Sequence, residues 1–200
     1  MKSKIITINN YNDYNKFLKR INIYKGILYY NTLFEVKNNI NERNIDYITN
    51  ALNMKNRKKR IEYVYDQSCK LIDWKNKGIN ICGFENGKCW VQRKIKNGKC
   101  NGCCRKCIYQ TSNGCSTKNL SCKLFNCTEV RSRYNVIRYN DLILLKLLSK
   151  KNQIIIKSDY FSKREDVLKD LYSYNFIYST FRIVYRLIRN YITVNKIIKK

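Results

Sequence analysis

Histidine and proline are absent from this chain, glycine occurs only seven times, and acidic residues number 14 against 41 lysines and arginines. Each shortage excludes something. Without histidine, a zinc finger with two Cys and two His ligands cannot be built, and any zinc or iron site must draw on Cys, Asp or Glu. The commonest general base is missing with it. No window approaches the ~18 uninterrupted apolar residues of a membrane-spanning helix. The N-terminal MKSKIITINN is interrupted by Thr and Asn before it reaches the length of a signal peptide. These absences predict a cytoplasmic chain with no transmembrane segment, and in a reducing compartment clustered cysteines serve metals or redox chemistry more often than disulfides.

What the chain does have is sulfur, positive charge and enough apolar substance to fold. Two hundred residues at 44% hydrophobic suffice for one domain, or for a small core with an appended module. A net charge of +27 exceeds what solubility needs and attracts polyanions, so nucleic acid and anionic membrane surfaces are the expected partners. The competing explanation is mutational: a chain crowded with Lys, Ile, Asn and Tyr is what an AT-rich genome encodes. The densest basic run holds Lys55, Arg57, Lys58, Lys59 and Arg60. It reads as a solvated helix face or, more sharply, as a phosphate-contacting patch.

The sulfur is concentrated. Of ten cysteines, all but Cys69 fall between Cys82 and Cys127, namely Cys82, Cys89, Cys100, Cys103, Cys104, Cys107, Cys115, Cys122 and Cys127. Cys69 lies on the apolar side of a helical pattern and reads as core. Cys100, Cys103, Cys104 and Cys107 form C-x2-C-C-x2-C, with Gly102 beside the pair and Gly114 beside Cys115, where tight turns bring sulfurs onto one point. Four-cysteine zinc and cysteine-ligated iron-sulfur clusters both suit such turns. The ferredoxin run C-x2-C-x2-C-x3-C-P is absent. Cys100, Cys104 and Cys107 satisfy the C-x3-C-x2-C of radical enzymes that use S-adenosylmethionine, but too few residues follow Cys107 for a barrel of the usual ~250. A disulfide framework fits an odd number of cysteines poorly, and the adjacent pair Cys103-Cys104 joins only with strain. The segment is too dense in Gly, Asn and Lys to make a conventional core. Metal coordination would substitute for the missing burial.

Around this segment the periodicity is helical. Phe17, Ile21, Tyr24, Leu28 and Phe34 keep roughly helical spacing, broken by Gly26. Ile45, Ile48 and Leu52 form a second face, and Ile61, Val64, Tyr65, Ser68 and Leu71 or Ile72 a third. Residues 1–9 suggest an edge strand, 141–150 a buried helix, and Ile154–Lys157 a short strand. The run SKRE at 162–165 is a capping-box pattern that opens another helix. A last helix begins near Phe176 and carries Arg182, Arg186, Arg189, Lys196 and Lys200 on one arc of about 80°. Its apolar remainder must pack on something, either neighbouring helices, with the basic stripe in solvent, or an anionic membrane. The expected fold is mainly α, with helices flanking a metal-stabilised, loop-rich cysteine module. Its segments are 1–77 (mostly helical), 78–130 (the metal-binding module) and 131–200 (helical, packing with the first).

The arrangement Cys103-Cys104, Cys107, Gly114-Cys115 and Cys122-Lys123-Leu124-Phe125-x-Cys127 distantly resembles the zinc- or iron-chelating cysteine-cluster family, the YkgJ-type proteins. NLSC stands here where that family carries Arg-Pro before its closing cysteine, and the cysteines leading into the pair are spaced differently. The resemblance implies metal binding without specifying a reaction. Three functions follow as expectations: a metal-binding protein holding zinc or an iron-sulfur centre, a nucleic-acid-binding protein with a structural zinc module, and a redox or modifying enzyme at a metal-sulfur centre.

Overall fold

The computed structural model describes residues 2–77, 79, 81–83, 85–86, 89, 93, 110–111, 114–115 and 118–198, with backbone alone for 110–111, 114–115, 129 and 194–198. It is mainly helical, as the periodicity predicts. The chain divides into two compact units, one of residues 1–68 and 140–153, the other of 69–139 and 154–200.

The first unit is built on a strand-helix-strand motif. Strand β1 (Lys2–Ile8) leads into helix α1 (Tyr11–Tyr24), and strand β2 (Thr32–Asn38) returns beside β1. The two strands pair in parallel from Lys2 opposite Thr32 to Ile8 opposite Asn38, an arrangement that requires a crossover such as α1. Asn10 caps α1 by accepting from the Asp13 amide at 3.0 Å. Gly26 lets the chain leave the helix tightly, since a Cβ there would stand 3.0 Å from the Ile23 carbonyl oxygen. Phe34 is therefore a strand residue, and the helical spacing that links it to Tyr24 is coincidental.

Helices α2 (Arg43–Asn53) and α3 (Arg57–Lys75) follow. Ile8, Phe17, Ile21, Phe34, Ile45, Ile48 and Ala51 are buried. Asn53 treats β2 as a neighbouring strand would: its amide accepts from Phe34 N–H at 2.8 Å and donates to Phe34 C=O at 2.9 Å. This occupies backbone groups that an open edge would offer to another chain. The segment expected as a helix over 141–150 is instead 3-10 helical at Tyr139–Asp141 and Ile143–Leu147. Its leucines are buried as expected, and Lys25 donates to the carbonyls of Lys146 (2.7 Å) and Leu148 (3.3 Å) at its end. A cation suits carbonyls at a helix end, and that of Leu148 also accepts from Gln153 Nε2 at 3.1 Å.

The second unit contains a short antiparallel pairing of β3 (Gln110–Thr111) with β4 (Gly114–Cys115), then α4 (Leu120–Leu124), α5 (Thr128–Arg133), α7 (Arg164–Tyr172) and α8 (Phe176–Ile198). Helix α6 (Lys150–Ser158) crosses the boundary between the units. The stretch expected as a strand, Ile154–Lys157, belongs to α6: Ile155 and Ile156 are buried while Ile154 is exposed, so burial follows a helix face and not strand alternation. Leu120, Val130, Val167, Leu171 and Ile183 complete this core.

Candidate metal centre

Cys122 is the described thiol whose surroundings are most fully fixed. It lies in α4, whose first turn is held by Asn119. That buried side chain accepts from the Cys122 amide at 2.9 Å and donates to the carbonyls of Asp159 (2.7 Å) and Ser162 (3.2 Å). One amide thus satisfies a helix start and ties it to the turn between α6 and α7. The neighbouring Ser121 hydroxyl donates to the Ile156 carbonyl, a second tie between the same segments.

That turn presents a backbone donor to the sulfur. Phe161 N–H points to Cys122 Sγ at 3.2 Å, and Phe161 adopts a φ of 66°, a left-handed conformation costly for a bulky residue. The residues on either side of this turn belong to an ionic cluster. Arg186 of α8 donates from Nε to Ser162 Oγ at 2.7 Å and from Nη2 to Asp159 at 2.8 Å and to Asp170. Arg182 pairs with Asp170 as well, and Ser162 donates to Asp159. Both carboxylates are wholly buried. Burial raises the Asp159 pKa despite the lowering by Ser162 and Arg186. Burial opposes the charge of Arg186, but the two carboxylates outweigh it and push that pKa up. The Tyr160 phenol is raised by burial and then by the charge of Cys122.

The remaining described thiols occupy different settings. Cys69 is buried, with Sγ donating to the Lys118 carbonyl at 3.8 Å, in keeping with a core residue. Cys127 stands at the N-cap of α5 and is half-buried. Cys82 precedes Gly83, whose φ of 54° suits glycine and whose carbonyl accepts from Arg93 at 2.6 Å. Arg93 also pairs with Glu85 at 3.1 Å. Cys89 is buried, and its carbonyl accepts from the Arg93 amide at 3.1 Å. Cys115 pairs through its backbone with Gln110. Cys100, Cys103, Cys104 and Cys107 lie outside the described residues. Among the described residues no three Cys, Asp or Glu side chains gather as a metal group.

The basic run turns out to be partly structural. Lys55 donates to the carbonyls of Tyr30 and Thr32, and Arg60 is half-buried with its pKa lowered by burial and by Arg57. Lys58 and Lys59 are the exposed members. Nor does the basic stripe of α8 lie wholly in solvent, because Arg182 and Arg186 turn inward onto α7 and the turn before it. The inward cluster left a sequence signal: Asp170 sits between Leu168 and Leu171, on the apolar side of α7, and an acid there needs a cationic partner. Among the described residues no helix is long and apolar enough to cross a membrane. Compared with protein-family models, with curated proteins and with solved structures, the chain matches none.

Proposed function

We propose that the segment from Cys82 to Cys127 is a metal-binding module, holding zinc or an iron-sulfur centre through thiolates drawn from Cys82, Cys89, Cys100, Cys103, Cys104, Cys107, Cys115, Cys122 and Cys127. The observation that carries this reading is the sulfur-rich spacing together with the setting of Cys122. A sulfur that accepts a backbone N–H at 3.2 Å sits in the kind of environment that stabilises a thiolate, and thiolates are the ligating form. The donor set fits a soft or borderline metal, since without histidine it is almost purely sulfur. When bound, the metal supplies the folding free energy that a Gly- and Lys-rich segment cannot gain from burial. The protein's own contribution is orientation. Asn119 fixes the turn that carries Cys122, Phe161 N–H faces its sulfur, and Arg186 holds Asp159 and Ser162 on either side of Phe161, much as outer partners hold the ligands of metal sites.

Elemental analysis of anaerobically purified protein tests the reading. Zinc or iron should co-purify in fixed ratio, with visible colour in the iron-sulfur case, and a chelator should unfold the module while the flanking helices persist. Cys103→Ser/Cys104→Ser/Cys107→Ser should abolish metal content. A metal-free preparation whose module resists protease, or a triple variant that keeps its metal, would refute the proposal.

A further inference from the structure

Helix α8 is oriented with its polar side inward. Ser179, Arg186 and Asn190 are buried or half-buried, and Arg182 and Arg186 are bound to Asp170 and Asp159. The opposite side is apolar and open to solvent. Ile177, Phe181, Val184, Tyr185, Ile188 and Tyr191 are each 45–70% exposed, and at 100° per residue they fall within one arc of about 120°. A continuous stripe of this kind marks a contact surface, since monomers rarely leave one open.

Charge selects its occupant. Helix α8 carries no acidic residue along its 23 residues, exposed Arg189 borders the stripe, and the whole chain bears +27. A second copy would bring an equal positive charge to the same interface and no carboxylate on this helix to offset it. A nucleic acid would supply the negative charge but would leave the apolar stripe without a partner. An anionic bilayer surface meets both requirements, and tyrosines favour the boundary between headgroups and acyl chains. We infer that the outward face of α8 is a peripheral docking surface for anionic lipid bilayers, with the helix lying in the interface plane. The helix is not apolar enough to cross it. The inward arginines leave this face apolar or aromatic from Ile177 to Ile192, so the buried ion pairs and the lipid contact are two consequences of one helix orientation. No cysteine takes part, so the inference stands apart from the metal proposal.

The test is flotation of the full chain with vesicles of phosphatidylcholine alone and of phosphatidylcholine mixed with phosphatidylglycerol. The protein should bind the mixed vesicles, bind the neutral ones far less, and release as salt rises. The variant Phe181→Gln/Tyr185→Gln/Ile188→Gln changes only exposed positions, so its melting point should hold while its partitioning falls on the order of a hundredfold. Should the triple variant lose its helix, Phe181→Gln alone must still weaken binding, by about tenfold or less. No binding by the unaltered chain, equal binding to neutral vesicles, or full binding by folded variants overturns the inference. A chain that light scattering shows to be a dimer, and that the triple variant makes monomeric, assigns the stripe to a second copy and overturns it as well.

Discussion

Replacing Arg186 by methionine keeps much of the side chain's length and removes its charge, leaving Asp159 inside the second unit without its guanidinium partner while Asp170 retains Arg182. Breaking a buried pair from one side costs ~3–5 kcal/mol, because the remaining charge is desolvated without compensation. With Arg182 still beside Asp170, the lower end applies, about 3 kcal/mol, which lowers the melting temperature by roughly 6–12 °C at this chain length. The pH dependence identifies the cause. Burial already raises the Asp159 pKa, and loss of the arginine raises it further. A carboxyl raised in the folded state holds a proton that the unfolded chain has released, so folding gains stability as pH falls through the folded pKa toward the unfolded one. The deficit of Arg186→Met should thus be largest at neutral pH and shrink on acidification. Adding Asp159→Asn should recover much of it, since no buried charge is then left unpaired there. Melting curves followed by circular dichroism at neutral and mildly acidic pH measure both effects. A variant that melts within ~2 °C of the parent, or a deficit that grows on acidification, would refute the account of a charge cluster fastening α8.

Asn119→Ala removes a helix cap and two further hydrogen bonds at once. At ~1 kcal/mol each it should cost about 3 kcal/mol, whereas Ser121→Ala, which loses one bond, should cost about a third of that in the same melting experiment. Tyr14 and Tyr139 have phenols pushed up to about 12, chiefly by burial. The folded state therefore retains protons that the unfolded chain loses near pH ~10. Stability present below that pH should be lost as pH rises toward 12, with part of the tyrosinate absorbance appearing only as circular dichroism is lost; independent, earlier ionisation of all tyrosines would count against it.

Some of this molecule could be read directly from the residues. Period 3.6 places Ile45, Ile48 and Leu52 on one face of α2 and Ile61 and Val64 on one face of α3, because local spacing fixes which side chains share a helix face. Asn10 marks the start of α1, since capping involves only neighbours in sequence. The metal-binding proposal rests on the same kind of local signal, since cysteines in C-x2-C spacing can reach one metal through a tight turn.

Other features were settled by segments far apart in the chain. Phe34 became a strand residue because β1 supplied a parallel partner, which no window around Phe34 contains. Ile154–Ile156 remained helical although β-branched residues favour strands, because the core covers Ile155 and Ile156 but not Ile154. Ser162 turned from a helix cap to Asp159 and Arg186. Helix α8 shows the division most clearly. Its residue order sets an apolar arc and a basic arc but not which of them faces inward, and hydrophobicity alone would bury the apolar one. Asp159 and Asp170, brought together by α6 and α7, reversed that choice: two carboxylates taken out of water require cations, and only the tertiary arrangement put Arg182 and Arg186 within reach.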